Sequence, residues 1–246
     1  MDSIKDPFSK VNNYYLNTVS ITASILDWFV KSKRDLPFRN TKDPYLVWLS
    51  EVMLQQTQVK TAIPYYKKWI KKYPSIRSVA HAKESELLKC WEGLGYYARC
   101  RNFHKSARII VKYYDGFVPN NWDKFRSFPG VGDYTAAAVL SIAFKQPFPA
   151  IDGNVRRVMA RILGYRKLSK RNMNIIQSTL CKWIHTTEPG DFNQAMMDLG
   201  ACVCFPTNPA CMHCPVNYYC KAFSSGNPMN YPLKNKHKKN PCLIFF

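Results

Sequence analysis

Apolar residues recur every three or four positions along most of the chain, the spacing of a helix with one buried face, and strict alternation is scarce. Positions 21–31 follow this period. Asp43-Pro44 supplies an N-cap followed by proline at the first helical position, and the helix it opens is expected to run to about Thr57. Further helices are predicted over 64–73, 84–91, 97–114, 122–127, 133–144, 153–163 and 192–202, with Gly93, Gly116, Pro129 and Gly132 as punctuation. There is no repeat of fixed period. The fold class read from this pattern is all-α. Residues 224–239 are polar and lysine-rich and read as a linker, and the final CLIFF reads as the opening of a strand.

Composition narrows the class. A chain of 246 residues, 46% hydrophobic and 14% aromatic, can bury a sizeable core, which excludes a disordered tail or a staple-dependent mini-protein. At ~150 residues per domain, one or two domains are expected. No apolar run reaches the ~18 residues of a spanning helix, and the first residues lack the layout of a signal peptide. A soluble, cytoplasmic chain without membrane partners is therefore expected. Charge adds a partner class: 36 Lys+Arg against 16 Asp+Glu gives a formal net charge of +20. Such an excess favours a polyanion, nucleic acid above all, although a lysine-rich coding bias is the plain alternative.

The segment FPGVG at 128–132 lies between two helical stretches. Gly130 and Gly132 permit a tight turn, and bare backbone around Val131 lets N–H groups and the next helix N-terminus approach a phosphate. An ordinary helix–helix turn is the competing reading.

Two carboxylates stand in contrasting surroundings. In PYLVWLSEVML (44–54) Ser50 and Glu51 alone are strongly polar, so the helix should be buried and Glu51 with it. Burial raises a carboxyl pKa and makes a proton donor near neutrality, unless Glu51 is instead paired with a buried Arg39. Asp152 precedes GNVRR at a helix start, where orphan N–H groups and the helix dipole favour its anion; it could equally be a simple cap. A neutral and an anionic carboxyl together suit acid-assisted glycosidic cleavage through an oxocarbenium-like transition state.

Nine cysteines in a chain without a secretory signal argue against a disulfide framework. Cys204, Cys211, Cys214 and Cys220 form C-x6-C-x2-C-x5-C, which fits one metal centre, either tetrahedral zinc or an iron–sulfur cluster. Cys202, just before them, reads as a helix-packing residue.

These pieces together resemble the helix-hairpin-helix DNA glycosylases of the endonuclease III superfamily, and within it the MutY-type adenine DNA glycosylases. The matching stretches are LPFR (36–39), PYLVWLSEVMLQQTQV (44–59), GLGYYARCRN (93–102), FPGVGDYTAAAV (128–139), AIDGNVRRVMAR (150–161), FNQAMMDLGA (192–201) and the cysteine loop. The resemblance implies a 4Fe–4S cluster on Cys204, Cys211, Cys214 and Cys220. It implies a six-helix module over 44–145, a second module from 21–43 and 146–223 carrying the cluster, an N-terminal extension over 1–20, and a linker remnant over 224–246. The implied partner is double-stranded DNA containing an adenine mispaired with 8-oxoguanine or guanine. The implied reaction is hydrolysis of that adenine's N-glycosidic bond after base flipping, by a monomer that is nucleoid-associated if bacterial.

Residue by residue, Glu51 resembles the acid that protonates adenine N7, Asp152 the carboxylate that stabilises or traps the sugar cation, and Asn154 an orienting group. Tyr134 stands where some members have a catalytic-site Tyr or Ser and lyase-active relatives have a Schiff-base Lys, which implies a monofunctional enzyme. Gln56 and Tyr96 match residues that wedge into the duplex, while Arg39 and Leu54 match the adenine pocket. Phe38 stands where the family usually has Trp. Members of this branch continue past a Lys-rich linker into a Nudix-like domain, which the resemblance does not reach here. The competing functions are a thymine–guanine mismatch glycosylase, a non-catalytic lesion-binding protein, and a zinc-dependent binding module.

Overall fold

The computed structural model describes residues 7–185 and 187–233, with side chains described from residue 18 onward. Among the described residues there are twelve α-helices, three short 3-10 turns and no strand, as the apolar period requires. The helices are α1 (Pro7–Ser32), α2 (Pro44–Leu54), α3 (Val59–Lys72), α4 (Ile76–His81), α5 (Glu84–Trp91) and α6 (Ala98–Tyr113). They continue with α7 (Trp122–Arg126), α8 (Asp133–Phe144), α9 (Gly153–Leu163), α10 (Lys170–Ile184), α11 (Pro189–Cys202) and α12 (Lys221–Ser224).

Several boundaries differ from the sequence expectation for local reasons. Helix α1 starts at Pro7, inside the stretch read as an extension. Helix α2 stops at Leu54 rather than near Thr57, because Gln55 turns extended and Gln56 adopts φ 55°. Helix α3 starts at Val59, so Pro64 lies inside it rather than at its first turn. The carbonyl that its missing N–H leaves unpaired belongs to Lys60, an exposed residue that water can solvate. Helices α4 and α10 fall outside the sequence expectation. Ser75 and Ser78 form a reciprocal capping box for α4, and Ser169 accepts the Asn172 N–H to start α10. Residues up to Leu233 do not behave as a free linker: Leu233 N–H donates to Arg166 O at 2.9 Å, and Arg161 holds the Pro228 and Tyr231 carbonyls. The CLIFF segment lies outside the described residues. No described helix is long and apolar enough to cross a membrane.

Two hydrophobic cores form. The larger gathers α2 to α8 around Trp48, Trp69, Trp91 and Phe103, whose rings meet mostly edge-on, such as Trp48–Phe103 at 4.6 Å. The smaller joins the C-terminal half of α1 to α9, α10 and α11 through Ile25, Phe29, Val158, Trp183 and Phe192. Helices α8 and α11 touch across the junction. A Cβ at Gly190 would lie 2.8 Å from the Ile142 Cα and 3.0 Å from the Ser141 carbonyl oxygen. Buried Asn193 fastens the contact: its amide donates to Ser141 Oγ at 2.7 Å and Phe148 O at 2.9 Å, and its oxygen accepts the Ala150 N–H at 3.0 Å. Every strong polar group of that side chain is thus used.

Gly190→Ala should force the two helix backbones apart and lower stability by about 1–3 kcal/mol, the range for overpacking a close contact. Chemical denaturation checks this; an unchanged midpoint would show that α11 can slide without cost.

Candidate active site

Helix α2 begins cleanly, with Asp43 accepting the Tyr45 N–H at 2.8 Å and Pro44 in the first turn. Its apolar faces bury it, and Glu51 goes in with it at 8% exposure. Tyr134, at the start of α8, donates its hydroxyl to Glu51 Oε2 at 2.8 Å and lies 3.6 Å from Met197 Sδ of α11. Burial raises the Glu51 pKa to about 7 and the Asp152 charge adds to the rise; the Tyr134 hydrogen bond and the Arg39 charge oppose it. Tyr134 is held well above its usual range, first by burial and then by the Glu51 and Asp152 charges, so its phenol remains a donor.

Arg39 does not neutralise Glu51. Its Nη1 donates to Asp198 Oδ2 at 2.6 Å and to the Arg34 carbonyl at 3.2 Å, while Arg34 binds the other oxygen of Asp198. Burial works against the Asp198 anion, but the hydrogen bonds and charges of Arg39 and Arg34 outweigh it and hold its pKa low. The competing reading of Glu51 as half of an Arg39 ion pair is thereby excluded. A cavity of about 80 Å³ remains between the helices, lined by Glu51, Tyr134, Arg39, Leu54, Gln194 and Met197 among others, with no lysine in its wall.

Asp152 does cap α9, accepting the Val155 N–H at 2.7 Å through Oδ1. Its other oxygen accepts the Asn154 amide at 3.1 Å. Asn154 in turn accepts from Arg157 Nη2 at 2.9 Å, and Arg157 also donates to Gly200 O at 2.8 Å and Cys204 O at 2.9 Å. One arginine thus ties the Asp152 turn to the start of the cysteine loop. Gly200 is required by the same packing, since a Cβ there would lie 2.6 Å from Asn154 Cβ.

The sequence-predicted surface residues lie on exposed turns. Gln56 and Tyr96 both adopt left-handed backbone, φ 55° and 48°, a conformation side-chain-bearing residues seldom hold without a reason. Gly130 has φ 78°, and its open face is needed because a Cβ would meet Asn102 Cβ at 2.9 Å. The Val131 N–H is consumed by the Phe128 carbonyl at 3.1 Å, so among these three hairpin residues it is the one whose amide is already paired. The N–H groups of Gly130 and Gly132 find no acceptor among the described residues, and α8 starts at Gly132 without a side-chain cap.

Cys204, Cys211, Cys214 and Cys220 line one small, apolar cavity with Arg161, and all four are free thiols. Arg161, buried beneath them, donates to Cys204 Sγ at 3.2 Å and to the Phe205 carbonyl at 2.6 Å. Among the described residues no three ligating side chains converge tightly enough for a single ion. Cys202 is exposed at the end of α11, not packed as expected.

Asp198, Gln194, Met197 and Arg157 are positions in or around the site that sequence reasoning does not single out. The first three lie in FNQAMMDLGA, where one acidic residue inside a buried apolar helix is the available signal for Asp198.

Comparison with known proteins fits this geometry. The chain is 43% identical over 227 residues to an adenine DNA glycosylase of Buchnera aphidicola subsp. Acyrthosiphon pisum (strain APS), covering 89% of this chain and 64% of that protein. It is 41% identical over 231 residues to the adenine DNA glycosylase of Mus musculus, covering 87% of this chain and 45% of that one. The chain therefore spans less than two-thirds of the length of these relatives. Among solved structures, a thermostable thymine-DNA glycosylase superposes with a TM-score of 0.79 at 28% identity, covering 86% of this chain and 99% of its own. The family model described as HhH-GPD superfamily base excision DNA repair protein matches residues 49–182, more than half of the chain, which therefore belongs to that superfamily.

Proposed function

We propose that the chain removes adenine from mispairs with 8-oxoguanine or guanine in duplex DNA by hydrolysing its N-glycosidic bond, as a monofunctional glycosylase. The observation that carries this reading is the buried Glu51, titrating at about 7, beside the capped Asp152 carboxylate. Purine departure gains from protonation at N7, so a carboxyl that is half protonated near neutrality is the right donor. Tyr134 engages Oε2 as a hydrogen-bond donor, which leaves the transferable proton to Oε1. Asp152, fixed by Val155 N–H and Asn154, supplies the negative charge that an oxocarbenium-like sugar needs. Arg39, Leu54 and Gln194 line the space into which the flipped base would fit. Without a lysine in that wall, no amine stands ready for a Schiff base.

Gln56 and Tyr96 would enter the duplex, and the free amides of Gly130 and Gly132 at the α8 N-terminus would bind a phosphate. The four clustered cysteines would hold a 4Fe–4S cluster. The four thiols surround one small apolar cavity, and buried Arg161 beneath them offsets thiolate charge. Bound there, a cluster would cross-link the loop that Arg157 joins to Asn154.

A second reading, thymine removal from a guanine mispair, draws on the superposed thymine-DNA glycosylase. It leaves the raised Glu51 pKa without a use, since a pyrimidine has no N7.

Single-turnover release of adenine opposite 8-oxoguanine, by iron-loaded protein, should be lost by at least about 100-fold in Glu51→Gln. No release by the unaltered protein, alongside activity on a thymine–guanine duplex, would install the second reading.

The raised Glu51 pKa also has a stability signature. The folded state binds this proton more tightly than the unfolded chain, so the associated stability is full below about pH 4.5 and is lost as pH rises through about 7. Glutamine mimics the neutral form. Glu51→Gln should therefore match the parent in acid and exceed it above about pH 7 by an amount on the order of 3 kcal/mol. Melting curves across this range check it, and a pH-independent difference would mean that Glu51 titrates normally.

Asp152→Asn keeps an oxygen to cap α9 and should fold normally. It should bind the mispaired duplex like the parent while releasing base more slowly by about three orders of magnitude. Near-parental release would remove Asp152 from the mechanism.

A further inference from the structure

Arg99, in the first turn of α6, occupies an unusual position. Its guanidinium contacts five backbone carbonyls and one hydroxyl: Nη1 reaches Val52 O at 2.9 Å, Met53 O at 2.9 Å and Gln55 O at 2.6 Å. Nη2 reaches Thr57 Oγ1 at 3.3 Å, Leu94 O at 3.2 Å and Gly95 O at 3.1 Å. The Trp91 and Tyr96 rings stack on it, each 5.4 Å from Cζ to centroid. It forms no ion pair among the described residues. The charge is met instead by the carbonyl ends of α2 and by ring faces.

Val52 and Met53 lie in the last turn of α2, Gln55 opens the exposed turn that carries Gln56, and Leu94 and Gly95 lead into the one that carries Tyr96. Gln56 and Tyr96 both hold left-handed backbone. The same helix seats the hairpin: Asn102 packs on Gly130, and Ser106 Oγ donates to Pro129 O at 3.0 Å. We infer that Arg99 is a positioning residue that fuses the Gln56 turn and the Tyr96 loop into one preformed wedge, so that neither must be ordered when the duplex is opened. An unanchored wedge would lose conformational freedom at the moment of binding, and that cost would come out of the energy available for unstacking. Lysine cannot substitute, because a point charge on a flexible stem cannot hold carbonyls of both turns at once. The inference rests on the proposed base-flipping glycosylase reading.

The test uses the full chain with Arg99→Lys and Arg99→Ala. The first readout is fluorescence of 2-aminopurine placed at the target position of a mispaired duplex, which rises when that base leaves the stack. The second is single-turnover release of adenine from a mispaired duplex and from a duplex with the adenine opposite an abasic site, where little pairing opposes flipping. Both variants should lose most of the fluorescence rise and release mispaired adenine at least about tenfold more slowly, since small misplacements cost this much. Release of the unopposed adenine should stay within about threefold. Adding Arg99→Lys to Tyr96→Ala should cost little more, because the wedge is already lost and coupled residues are not additive.

Equal slowing on both duplexes would overturn the inference, because Arg99 would then be supporting Glu51 through the Val52 and Met53 carbonyls. So would parental fluorescence, or full additivity with Tyr96→Ala. Melting curves identify a variant that fails to fold, and Arg99→Lys, which keeps the charge, is the variant that then decides. If the parent protein releases no adenine at all, the glycosylase reading falls by itself, and the fluorescence arm still decides the role of Arg99.

Discussion

Helices α8 and α11 meet at backbone distance because position 190 has no side chain, and the site is built on that contact. Helix α8 brings Tyr134 and α11 brings Gln194, Met197 and Asp198, so the spacing between them sets where the Glu51 carboxyl can sit. Asn193 then carries the constraint onward. By donating to the Phe148 carbonyl and accepting the Ala150 N–H, it fixes the stretch of chain that leads into Asp152. One buried amide and one missing Cβ thus tie the Asp152 segment to the helices around Glu51, near enough for the Asp152 charge to raise the Glu51 pKa. The polar interactions here are fully satisfied, which is what makes a buried network rigid rather than costly.

Burying Glu51 has an energetic consequence that the fold tolerates. A carboxyl inside an apolar helix destabilises the charged state, and the nearest cation is withheld from it, because Asp198 binds Arg39 and Arg34 together. Had Arg39 turned to Glu51, the carboxyl would be ionised at neutral pH and useless as an acid. The Asp198 anion therefore acts on the site indirectly: it holds the guanidinium in the cavity wall while weakening its pull on the Glu51 proton. Arrangement of opposite charge around a third group is a way of setting a pKa without touching it.

Much of this is legible in the sequence, for reasons that differ by residue. Glu51 stands out because an apolar helix must be buried and drags its lone acid in at a desolvation cost that only a partner or a reaction offsets. Asp152 stands out by its place before a helix, and the four clustered cysteines by their density. The helices with sharp punctuation, Asp133–Phe144 and Gly153–Leu163, agree with the sequence pattern to the residue. The start of α3 does not, because proline favours a first turn and here Pro64 lies inside the helix. Helix α10 carries the period in Ile176, Leu180 and Trp183, but the polar residues between them hide it. The roles of Asp198 and Arg157 are harder to read for a deeper reason. Apart from Asn154, which Arg157 also binds, their partners lie more than forty residues away in sequence, and those of Arg157 there are carbonyls, which no residue type announces.

The same blindness to carbonyl partners makes every basic residue look, in sequence, like part of a field for a polyanion. Part of that charge is turned inward. Arg99, Arg157 and Arg161 each bind backbone carbonyls at the ends of helices or in turns, where the partial negative charge of unsatisfied C=O groups stands in for a carboxylate. Arginine suits this because its planar fork reaches several oxygens in fixed directions. The turns so gathered are the ones that helices cannot hold by ladder hydrogen bonds. Where loops are joined by helices alone, long-range order between them has to come from side chains, and these three arginines provide it at the Gln56 and Tyr96 turns, at Asn154, and at the cysteine loop.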